Sequence, residues 1–537
     1  MTTEQDWRAL AAAARTAQAE CRLELAAERA EAAARCADPT GPDYDDIAIL
    51  AATLLRQDGR AGAAVAVLTQ AARHRQHSAA LQNHLGLALR AACRHDEALA
   101  AFQRAARLDP DNPWAETNVA FSLLRDPIDA GATFAAFTDG ADHAGGLGLF
   151  CDRFPHTYGF LLQQFQTYLR HFPDCRAYSF GRKVLEPYGR GQFAAAMDAW
   201  SAAFPAQAGQ VSQLVPALDA APAQARVTRL RLAKGRDFHR PALAHNIFAM
   251  NADLFRPLYE QVGIDFTFTL NPGGGFRLDD AYSDDRLRRV FASPRFQRVI
   301  VTYGLTRDYI RHRFGVPDDR ITLIPGTIVV ENLLMAHRRP KRRFGIDKMT
   351  LDICFGGVRY TPTGTDKGYD LFIAAAHRLK DRFPQLRFHV FGDYTPDILD
   401  VGALGERIHF YGLQPQSWLA GFYADMDAIV SPNRPHQITR GAFDGFPVTT
   451  CIEAAMCGAA LFATDPMKLN FALTDGLDYV AIDADAARLA ACLESWLTRP
   501  DALYALAAAG EQTTRAVWGE AAQMGPRVAL FKRLLGR

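Results

Sequence analysis

Short apolar segments alternate with helix-like segments in two series along the 537-residue chain, and this alternation restricts the fold more than any other feature. The first series runs from "LGLFCDRF" at 147–154 to "ITLIPG" at 321–326, and the second begins with "LDICFGG" at 351–357. Strands that alternate with helices predict parallel sheets covered by helices. We therefore predict an α/β protein with two Rossmann-like domains, at 145–335 and 345–520.

Two further segments are expected to connect or cover these domains. The basic run "RRPKRR" at 338–343 is interpreted as a solvated linker. The last segment, 521–537, is a basic amphipathic helix, which we expect to pack on the N-terminal Rossmann-like domain, with peripheral membrane contact as the alternative. The carboxyl ends of both sets of strands would then face one cleft, where ligands are expected.

The Ala-rich N-terminal region has a helical period and contains a repeat. The segment at 78–110, "SAALQNHLGLALRAACRHDEALAAFQRAARLDP", aligns with the segment 34 residues before it. It resembles the tetratricopeptide repeat at the positions Leu85, Gly86, Ala98, Phe102, Ala105 and Pro110. We predict an all-α, tetratricopeptide-like array at 1–135. Its function is either to present a surface to a protein or peptide partner or only to cover the next domain.

Composition excludes several classes of function. A formal net charge of +1 provides no general attraction for nucleic acid or for an anionic membrane. Nine cysteines without a C-x-x-C pair are typical of reduced thiols. Residues 1–30 are charged, unlike a signal peptide, and the sequence contains no apolar run long enough to span a membrane. We therefore expect a cytoplasmic protein that binds no nucleic acid.

The segment "FGGVRYTPTGTDKGYDLFIAAA" at 355–376 has the features of an anion site. A strand ends in a glycine turn at Gly357, and Arg359 and Lys367-Gly368 then precede a helix. An anion at the start of this helix would meet two cations, free backbone N–H groups and the helix dipole. Two cations beside glycine turns indicate a diphosphate, whereas surface residues of an ordinary loop are the alternative.

The segment "DGFPVTTCIEAAMCGAALFATD" at 444–465 places two acids around a turn and a helix. The turn is expected at Gly445, and a helix capped by Thr449 or Thr450 is expected to begin near Cys451. Glu453 would then lie in the first turn, near the positive end of the helix dipole.

Residues 351–483 resemble the C-terminal domain of GT-B glycosyltransferases, most closely family 4, whose members are retaining enzymes that use nucleotide sugars. The landmarks of this resemblance, in chain order, are Arg359 with Lys367-Gly368, "RIHFYG" at 407–412, "DAIVSP" at 427–432 and "DGFPVTTCIEAAMCG" at 444–458.

The resemblance implies a role for each motif residue. Arg359 and Lys367 would bind the donor diphosphate, Glu453 the ribose hydroxyls, and Asp444 the donor hexose. The expected donor-binding residues are Gly357, Arg359, Lys367, Gly368, Asp444, Gly445, Phe446 and Glu453, of which Asp444, Arg359 and Lys367 are the expected catalytic residues. This chain departs from the family's Glu-x7-Glu motif, because its first acid is Asp and the interval is eight residues.

The N-terminal half contributes the segment "FTFTLNPGGGF" at 266–276. Family members often carry a His after a similar strand, and the corresponding position here is Asn271. Asn271 is expected to contact the donor sugar. The glycines Gly273, Gly274 and Gly275 would approach the sugar or the acceptor, or would only form a tight interdomain turn.

These expectations define a retaining, hexosyltransferase-like enzyme that uses a nucleotide sugar and needs no cofactor. We expect no metal, because the sequence has no zinc-like Cys/His cluster and Arg359, Lys367 and the helix dipole would stabilise the departing diphosphate. A hydrolase with Asp444 and Glu453 as its carboxylate pair is disfavoured by the phosphate-type site upstream. The remaining alternative is a non-catalytic GT-B-shaped scaffold that acts through its repeats, and a protein, lipid or polysaccharide acceptor remains open.

Overall fold

The computed structural model describes residues 4–20, 22–123, 145–152, 154–155, 159–179, 192–218, 227–232 and 240–537. Helices fill the N-terminal part, and two parallel sheets with covering helices follow. The predicted fold class, two Rossmann-like domains in the GT-B arrangement after an all-helical region, is confirmed.

The N-terminal helices form an array in which each helix packs against the next one. Its core is Ala-rich, because small residues allow helices to approach closely. A Cβ on Gly86, for example, would overlap the ring of Phe102. The helices are α1 Glu4–Ala19, α2 Leu23–Cys36, α3 Tyr44–Gln57, α4 Ala61–His74, α5 Ala79–Ala91, α6 His95–Leu108 and α7 Pro113–Leu123. Residues 124–135, the end of the predicted array, lie outside the described residues.

The first sheet has eight strands in the order β4-β3-β2-β1-β5-β6-β7-β8, and every pairing is parallel except that of β3 with β4. The antiparallel β4 was not predicted from the sequence. The strands are β1 Leu147–Cys151, β2 Arg176–Ser179, β3 Val211–Leu218, β4 Val227–Leu232, β5 Leu243–Ile247, β6 Asp265–Leu270, β7 Phe296–Val301 and β8 Ile321–Leu323. The helices between and after them are α8 Gly159–His171, α9 Gln192–Ala203, α10 Ala249–Val262, α11 Ala281–Ala292, α12 Gly304–Phe314 and α13 Glu331–His337.

The second sheet has six parallel strands in the order β11-β10-β9-β12-β13-β14. They are β9 Leu351–Gly357, β10 Leu386–Gly392, β11 Ile408–Phe410, β12 Ala428–Ser431, β13 Ala460–Ala463 and β14 Val480–Ala481. The helices of this domain are α14 Tyr369–Leu379, α15 Gln416–Tyr423, α16 Thr449–Met456, α17 Ala486–Leu497 and α18 Pro500–Trp518. The segment "LDICFGG", with which the second series was predicted to begin, is β9.

The last helix, α19 (Glu520–Leu534), returns to the N-terminal Rossmann-like domain. The ring of Phe531 lies 5.1 Å from that of Tyr168 on α8 and 4.8 Å from that of His245 on β5. Arg537 forms an ion pair with Asp174 of the same domain. The helix therefore ties the end of the chain across the domain boundary. Among the described residues, no helix combines the length and the apolar character that crossing a bilayer requires.

The basic run at 338–343 differs from the predicted solvated linker. Arg338 makes two hydrogen bonds of 2.7 Å to the carboxylate of Glu511, and Lys341 donates to the carbonyl oxygen of Met426. These two side chains are partly buried because they bind acceptors on the second domain. Part of the run is thus packed on the C-terminal domain.

Candidate functional site

Glycines bring the carboxyl ends of the central strands of the second sheet close together. A Cβ on Gly392, at the end of β10, would overlap the carbonyl oxygen of Gly357, at the end of β9. Gly368 has φ +76° as the N-cap of α14, and a Cβ there would overlap the carbonyl oxygen of Pro432. The loop that carries Lys367 is therefore held against the end of β12, with the free N–H groups of α14 beside it.

Lys367 and Asp444 meet at this edge of the sheet. The Nζ of Lys367 forms an ion pair with the Oδ2 of Asp444, and the side-chain amide of Asn433 donates to the same oxygen at 3.3 Å. Burial lowers the pKa of Lys367, but the charge and hydrogen bond of Asp444 outweigh it, so the net pKa is raised. Lys367 is therefore a largely buried cation, with 11% of its side chain exposed, and within the described part of the chain Asp444 is the one carboxylate in direct contact with it.

Arg359 lies on the same loop, and its side chain bonds only to backbone oxygens. Its Nε donates to the carbonyl oxygen of Asp393 at 3.4 Å, and its Nη1 donates to those of Thr361 and Pro362. It has no ion pair within the described part of the chain. A guanidinium held by carbonyl groups keeps its charge available to an anion.

The helix that carries Glu453 starts earlier than predicted. It begins at Thr449, after the N-cap Val448, and no side chain caps it. The threonines predicted as caps are helical residues, because the chain turns already at the preceding proline. Glu453 consequently lies in the second turn, where the pull of the helix dipole is weaker.

Glu453 is buried, with 3% of its surface exposed. Its Oε1 accepts a hydrogen bond of 2.6 Å from the Nε2 of Gln416, the first residue of α15. Burial raises the pKa of Glu453 to about 7, although the bond from Gln416 acts in the opposite direction. A carboxyl group that is half ionised near neutral pH gains from any ligand that donates hydrogen bonds to it.

The two cysteines of this helix are packing residues. Cys451 and Cys457 are both buried, and burial raises the pKa of each thiol to about 12. They are therefore uncharged and poor nucleophiles near neutral pH.

The donor loop, residues 443–447, contacts the N-terminal Rossmann-like domain. Tyr303, at the end of β7, accepts a hydrogen bond of 3.1 Å at its hydroxyl from the backbone N–H of Phe446. A Cβ on Gly445 would overlap this hydroxyl. The ring of Phe276 lies 6.1 Å from that of Phe443. The loop that carries Asp444 is thus seated on the opposite domain.

The glycine-rich loop lies directly before this interdomain contact. Gly273, Gly274 and Gly275 all have positive φ, which favours glycine. Added Cβ atoms at Gly274 and Gly275 would overlap Phe248 and Arg286, whereas the space at Gly273 is open. The tight-turn interpretation accounts for the second and third glycines, and only Gly273 leaves room for a ligand.

Asn271 lies at the start of this loop. Its Nδ2 is buried and has no hydrogen-bond partner within the described residues. A buried amide donor without a partner costs free energy, so a ligand oxygen at this position would be stabilised.

Three neighbours of the site were not predicted from the sequence: Tyr303, Gln416 and Asn433. Tyr303 and Asn433 each stand two residues after a strand. Ligands of parallel sheets bind at the carboxyl ends of strands. The position of Tyr303 and Asn433 just after a strand could therefore have identified both as site residues. Gln416 starts a helix and has no comparable signal.

One group of metal-capable side chains occurs among the described residues. Atoms of Cys93, His95 and Asp285 lie within 4.8 Å of one another, at the contact of the array with α11. The Asp285 carboxylate forms an ion pair with Arg289, which competes with any metal ion. The group does not adjoin Lys367 or Glu453 in the contacts described above.

The C-terminal domain matches a known family. Residues 352–499 match the model of the family described as Glycosyl transferases group 1. This stretch is a glycosyltransferase group 1 domain. The group 1 domain contains all eight residues expected to bind the donor, from Gly357 to Glu453.

Solved structures share the fold at low sequence identity. HepE of Anabaena, solved in complex with UDP, is 13% identical with a TM-score of 0.50, and the match covers 72% of this chain and 99% of HepE. Sucrose-phosphate synthase from Thermosynechococcus elongatus is 16% identical with a TM-score of 0.48, covering 73% and 99%. A search of curated protein sequences found no match.

Proposed function

We propose that this protein is a retaining glycosyltransferase, which moves a hexose from a nucleotide sugar to an acceptor. The main observation in support of the proposal is the largely buried ammonium of Lys367, which is paired with Asp444 at the start of α14. A structural ion pair alone would not require Arg359 and an open helix N-terminus at the same place. A nucleoside diphosphate requires all of them.

The donor is held from its ribose to its sugar by residues of the group 1 domain, together with Asn271 and Gly273 of the N-terminal Rossmann-like domain. Glu453 accepts hydrogen bonds from the ribose hydroxyls, and Arg359 and Lys367 bind the diphosphate. Asp444 contacts the hexose, and Asn271 offers its unpaired amide to the same sugar. Gly357, Gly368, Gly445 and Phe446 line the donor as well, and Gly357 and Gly273 both face open space.

The reaction needs no protein base in this proposal. The bond between the anomeric carbon and the diphosphate oxygen breaks, and its electron pair stays with the diphosphate. The acceptor oxygen then bonds to the same face of that carbon, and its proton passes to the departing phosphate oxygen. Arg359 and Lys367 stabilise the charge that develops on the leaving group. No cofactor or metal is part of this scheme.

The acceptor is a protein recruited by the helical array. Helical arrays of stacked units present extended surfaces, which suit a polypeptide better than a lipid. The array also contacts the group 1 domain directly, because the Thr363 hydroxyl donates to the carbonyl oxygen of Ala19 at 3.1 Å. We place the reaction in the cytoplasm, since the eight cysteines of the described residues are free thiols.

A thermal-shift screen tests the donor. UDP, GDP and ADP sugars are compared, beginning with UDP, the ligand in the HepE structure. A donor at a hundred times its Kd stabilises the folded state by about 2.7 kcal/mol, a clear shift in melting temperature. Slow hydrolysis of the same donor should follow. If no nucleotide sugar shifts the melting temperature, the scaffold alternative is favoured.

A further inference from the structure

The helices α3 and α5 are the first helices of two successive repeats of the array. Both end where the array contacts the two Rossmann-like domains. The carbonyl oxygen of Gln57, the last residue of α3, accepts hydrogen bonds from Thr439 Oγ1 at 2.7 Å and from the N–H of Arg440 at 2.8 Å. Beyond the end of α5, His95 Nε2 lies 2.9 Å from the carboxylate of Asp285 on α11. These contacts define the array junction, which joins the array to the segment just before the donor loop.

Two arginines occupy equivalent positions in these units. Arg56 and Arg90 are one 34-residue repeat apart, and each is the last residue but one of its helix, α3 or α5. Arg90 donates to Asn118 Oδ1 at 3.2 Å, and its guanidinium lies 5.3 Å from the ring centre of Phe102. The amide of Asn118 in turn donates to Asn83 Oδ1 at 2.9 Å.

Among the described residues, no carboxylate balances the charge of these two arginines. The Arg56 side chain has no hydrogen bond or ion pair there, and the charged groups that act on it are Arg90 and Arg277. Burial, followed by these like charges, lowers the pKa of Arg56 to about 10. Nearby, His84 has a buried Nδ1 without a partner in the described chain, and its pKa falls to about 4 through burial and the charge of Arg56.

The positions of Arg56 and Arg90, without a carboxylate partner among the described residues, are electrostatically unfavourable. A partly buried guanidinium loses hydration, and without a counter-charge that loss is not offset. The negative end of each helix dipole favours one cation per helix end. The charges of Arg277 and Arg286 act on the same two helix ends from the N-terminal Rossmann-like domain. Asp280 and Asp253 pair with these two arginines, so of the four only Arg56 and Arg90 lack a carboxylate partner among the described residues. An anion at the array junction would supply the missing counter-charge.

We propose that the array junction binds an extended acidic polypeptide segment, whose carboxylates pair with Arg56 and Arg90. The proposal rests on the proposed function and names the chemistry of the protein acceptor. Packed helices lie about 8–10 Å apart, and α3 packs against α5. An extended chain advances about 3.3 Å per residue. Carboxylates two or three positions apart in the acceptor therefore reach both arginines.

The amides beside the arginines favour a polypeptide over a phosphate polymer. The half-buried Asn83 neighbours Arg90 through Asn118, which is buried and hydrogen-bonded to both of them. An amide both donates and accepts hydrogen bonds, as a peptide group does, whereas a phosphodiester only accepts. The site thus combines charge pairing with groups suited to a peptide backbone.

Fluorescence anisotropy on the full chain tests the proposal. The probe is a labelled Gly/Ser peptide with two glutamates three positions apart, and its partner probe has glutamine at both positions. The glutamate peptide should bind in a salt-dependent way and the glutamine peptide should not. Arg56→Gln and Arg90→Gln should each weaken binding about tenfold or more. Arg56→Lys should retain most of it, since it keeps the charge.

The control is Arg73→Gln, an exposed arginine on α4, which should bind like the unchanged protein. Circular dichroism and melting temperature verify that each variant folds. Equal binding of both peptides, or an equal loss in Arg73→Gln, overturns the proposal. Binding of inorganic tripolyphosphate without binding of the glutamate peptide overturns it in favour of a phosphate polymer.

The peptide measurements need no donor, so failure of the two proposals is distinguishable. If the glutamate peptide binds through Arg56 but no nucleotide sugar is bound or hydrolysed, the transferase proposal fails and the array junction stands. If a donor is hydrolysed and the peptide does not bind, the array junction proposal fails alone.

Discussion

The ammonium of Lys367 and the carboxylate of Asp444, 77 residues apart in sequence, are ion-paired at the start of α14. Asn433 donates to the same carboxylate oxygen at 3.3 Å. Asp444 is thus paired with the cation that a diphosphate needs. A bound diphosphate has to compete with Asp444 for Lys367, and the released carboxylate then becomes available to a sugar hydroxyl.

Removal of either cation should weaken the diphosphate selectively. Lys367→Ala and Arg359→Ala should each reduce the affinity for a nucleoside diphosphate by about ten- to a hundredfold, the value of a charge-assisted hydrogen bond. The affinity for the nucleoside should hardly change, because only phosphates meet these cations. Arg359→Lys should rescue binding in part, since the charge remains and the planar fork is lost. Calorimetric titration with both ligands measures this.

The matched control is Arg378→Ala, which removes an exposed cation from the same helix, α14. Its effect should stay within about 0.5 kcal/mol for both ligands. Equal losses for nucleoside and diphosphate in the Lys367 and Arg359 variants would contradict the diphosphate site.

Neutralising Asp444 should separate binding from turnover. Asp444→Asn keeps the side-chain shape but removes the charge that competes for Lys367 and repels phosphates. The nucleoside diphosphate should bind as tightly as before or more tightly, while kcat with the donor falls at least about tenfold, because an interaction made with the reacting sugar is lost. Steady-state kinetics and calorimetry on the same preparation check this. A parallel loss of diphosphate affinity and kcat would place Asp444 at the phosphates and contradict its role at the sugar.

The C-terminal domain was predictable because its signals are local. Strands such as β9 and β12 are short apolar runs that end at Gly or Pro, and their parallel pairing follows from the helices between them. Lys367 and Asp444 were both named from motifs that end strands or begin helices. Their meeting follows from topology, since the carboxyl ends of neighbouring parallel strands share one edge.

Contacts between distant segments were not predictable in the same way. The start of α16 at Thr449 depends on how the donor loop is seated against Tyr303, 146 residues earlier. The antiparallel β4 pairs through a register that changes at Ala217, and no strand pattern in the sequence marked it. The position of the array junction depends on single backbone bonds, such as those to Gln57. Such bonds produce no pattern of composition or periodicity, so they cannot be predicted from the sequence.

The seating of the donor loop on Tyr303 should be measurable as coupling between two substitutions. Gly445→Ala places a methyl group where the Tyr303 hydroxyl lies, so it should raise the KM for the donor and lower the free energy of unfolding by about 1–3 kcal/mol. Tyr303→Ala removes the obstacle, so the double variant should lose less than the sum of the two single variants.

Chemical denaturation and donor kinetics for the four proteins complete this cycle. The control is Gly412→Ala, a substitution at a glycine that, unlike Gly445, has a positive φ, with nothing within 4 Å of its Cβ. This control carries backbone strain without the clash, so Tyr303→Ala should not rescue it. Additive effects of Gly445→Ala and Tyr303→Ala would show that the two groups do not meet in solution.

Ionisation of Glu453 should make the free energy of unfolding depend on pH when no ligand is added. Its folded-state pKa, raised by burial to about 7, exceeds the ordinary 4.5. Its contribution is therefore fully present below about pH 4.5 and is lost as the pH rises to about 7, by up to roughly 3 kcal/mol. The isosteric Glu453→Gln cannot ionise, so it should lack this decline. Denaturant unfolding of both proteins at several pH values measures the difference.

The same titration should couple to nucleotide binding. Ribose hydroxyls donate hydrogen bonds to the ionised carboxylate, so binding should expel the proton that Glu453 carries below pH 7. Close to one proton should be released at about pH 6 and almost none at about pH 8, once the value for Glu453→Gln is subtracted to remove ionisation of the phosphate. Calorimetry in buffers of different ionisation enthalpy counts these protons. A 2′-deoxynucleotide is the ligand control, because it offers one donor fewer and should release less. Equal proton release by the unchanged protein and by Glu453→Gln would remove Glu453 from the ribose site.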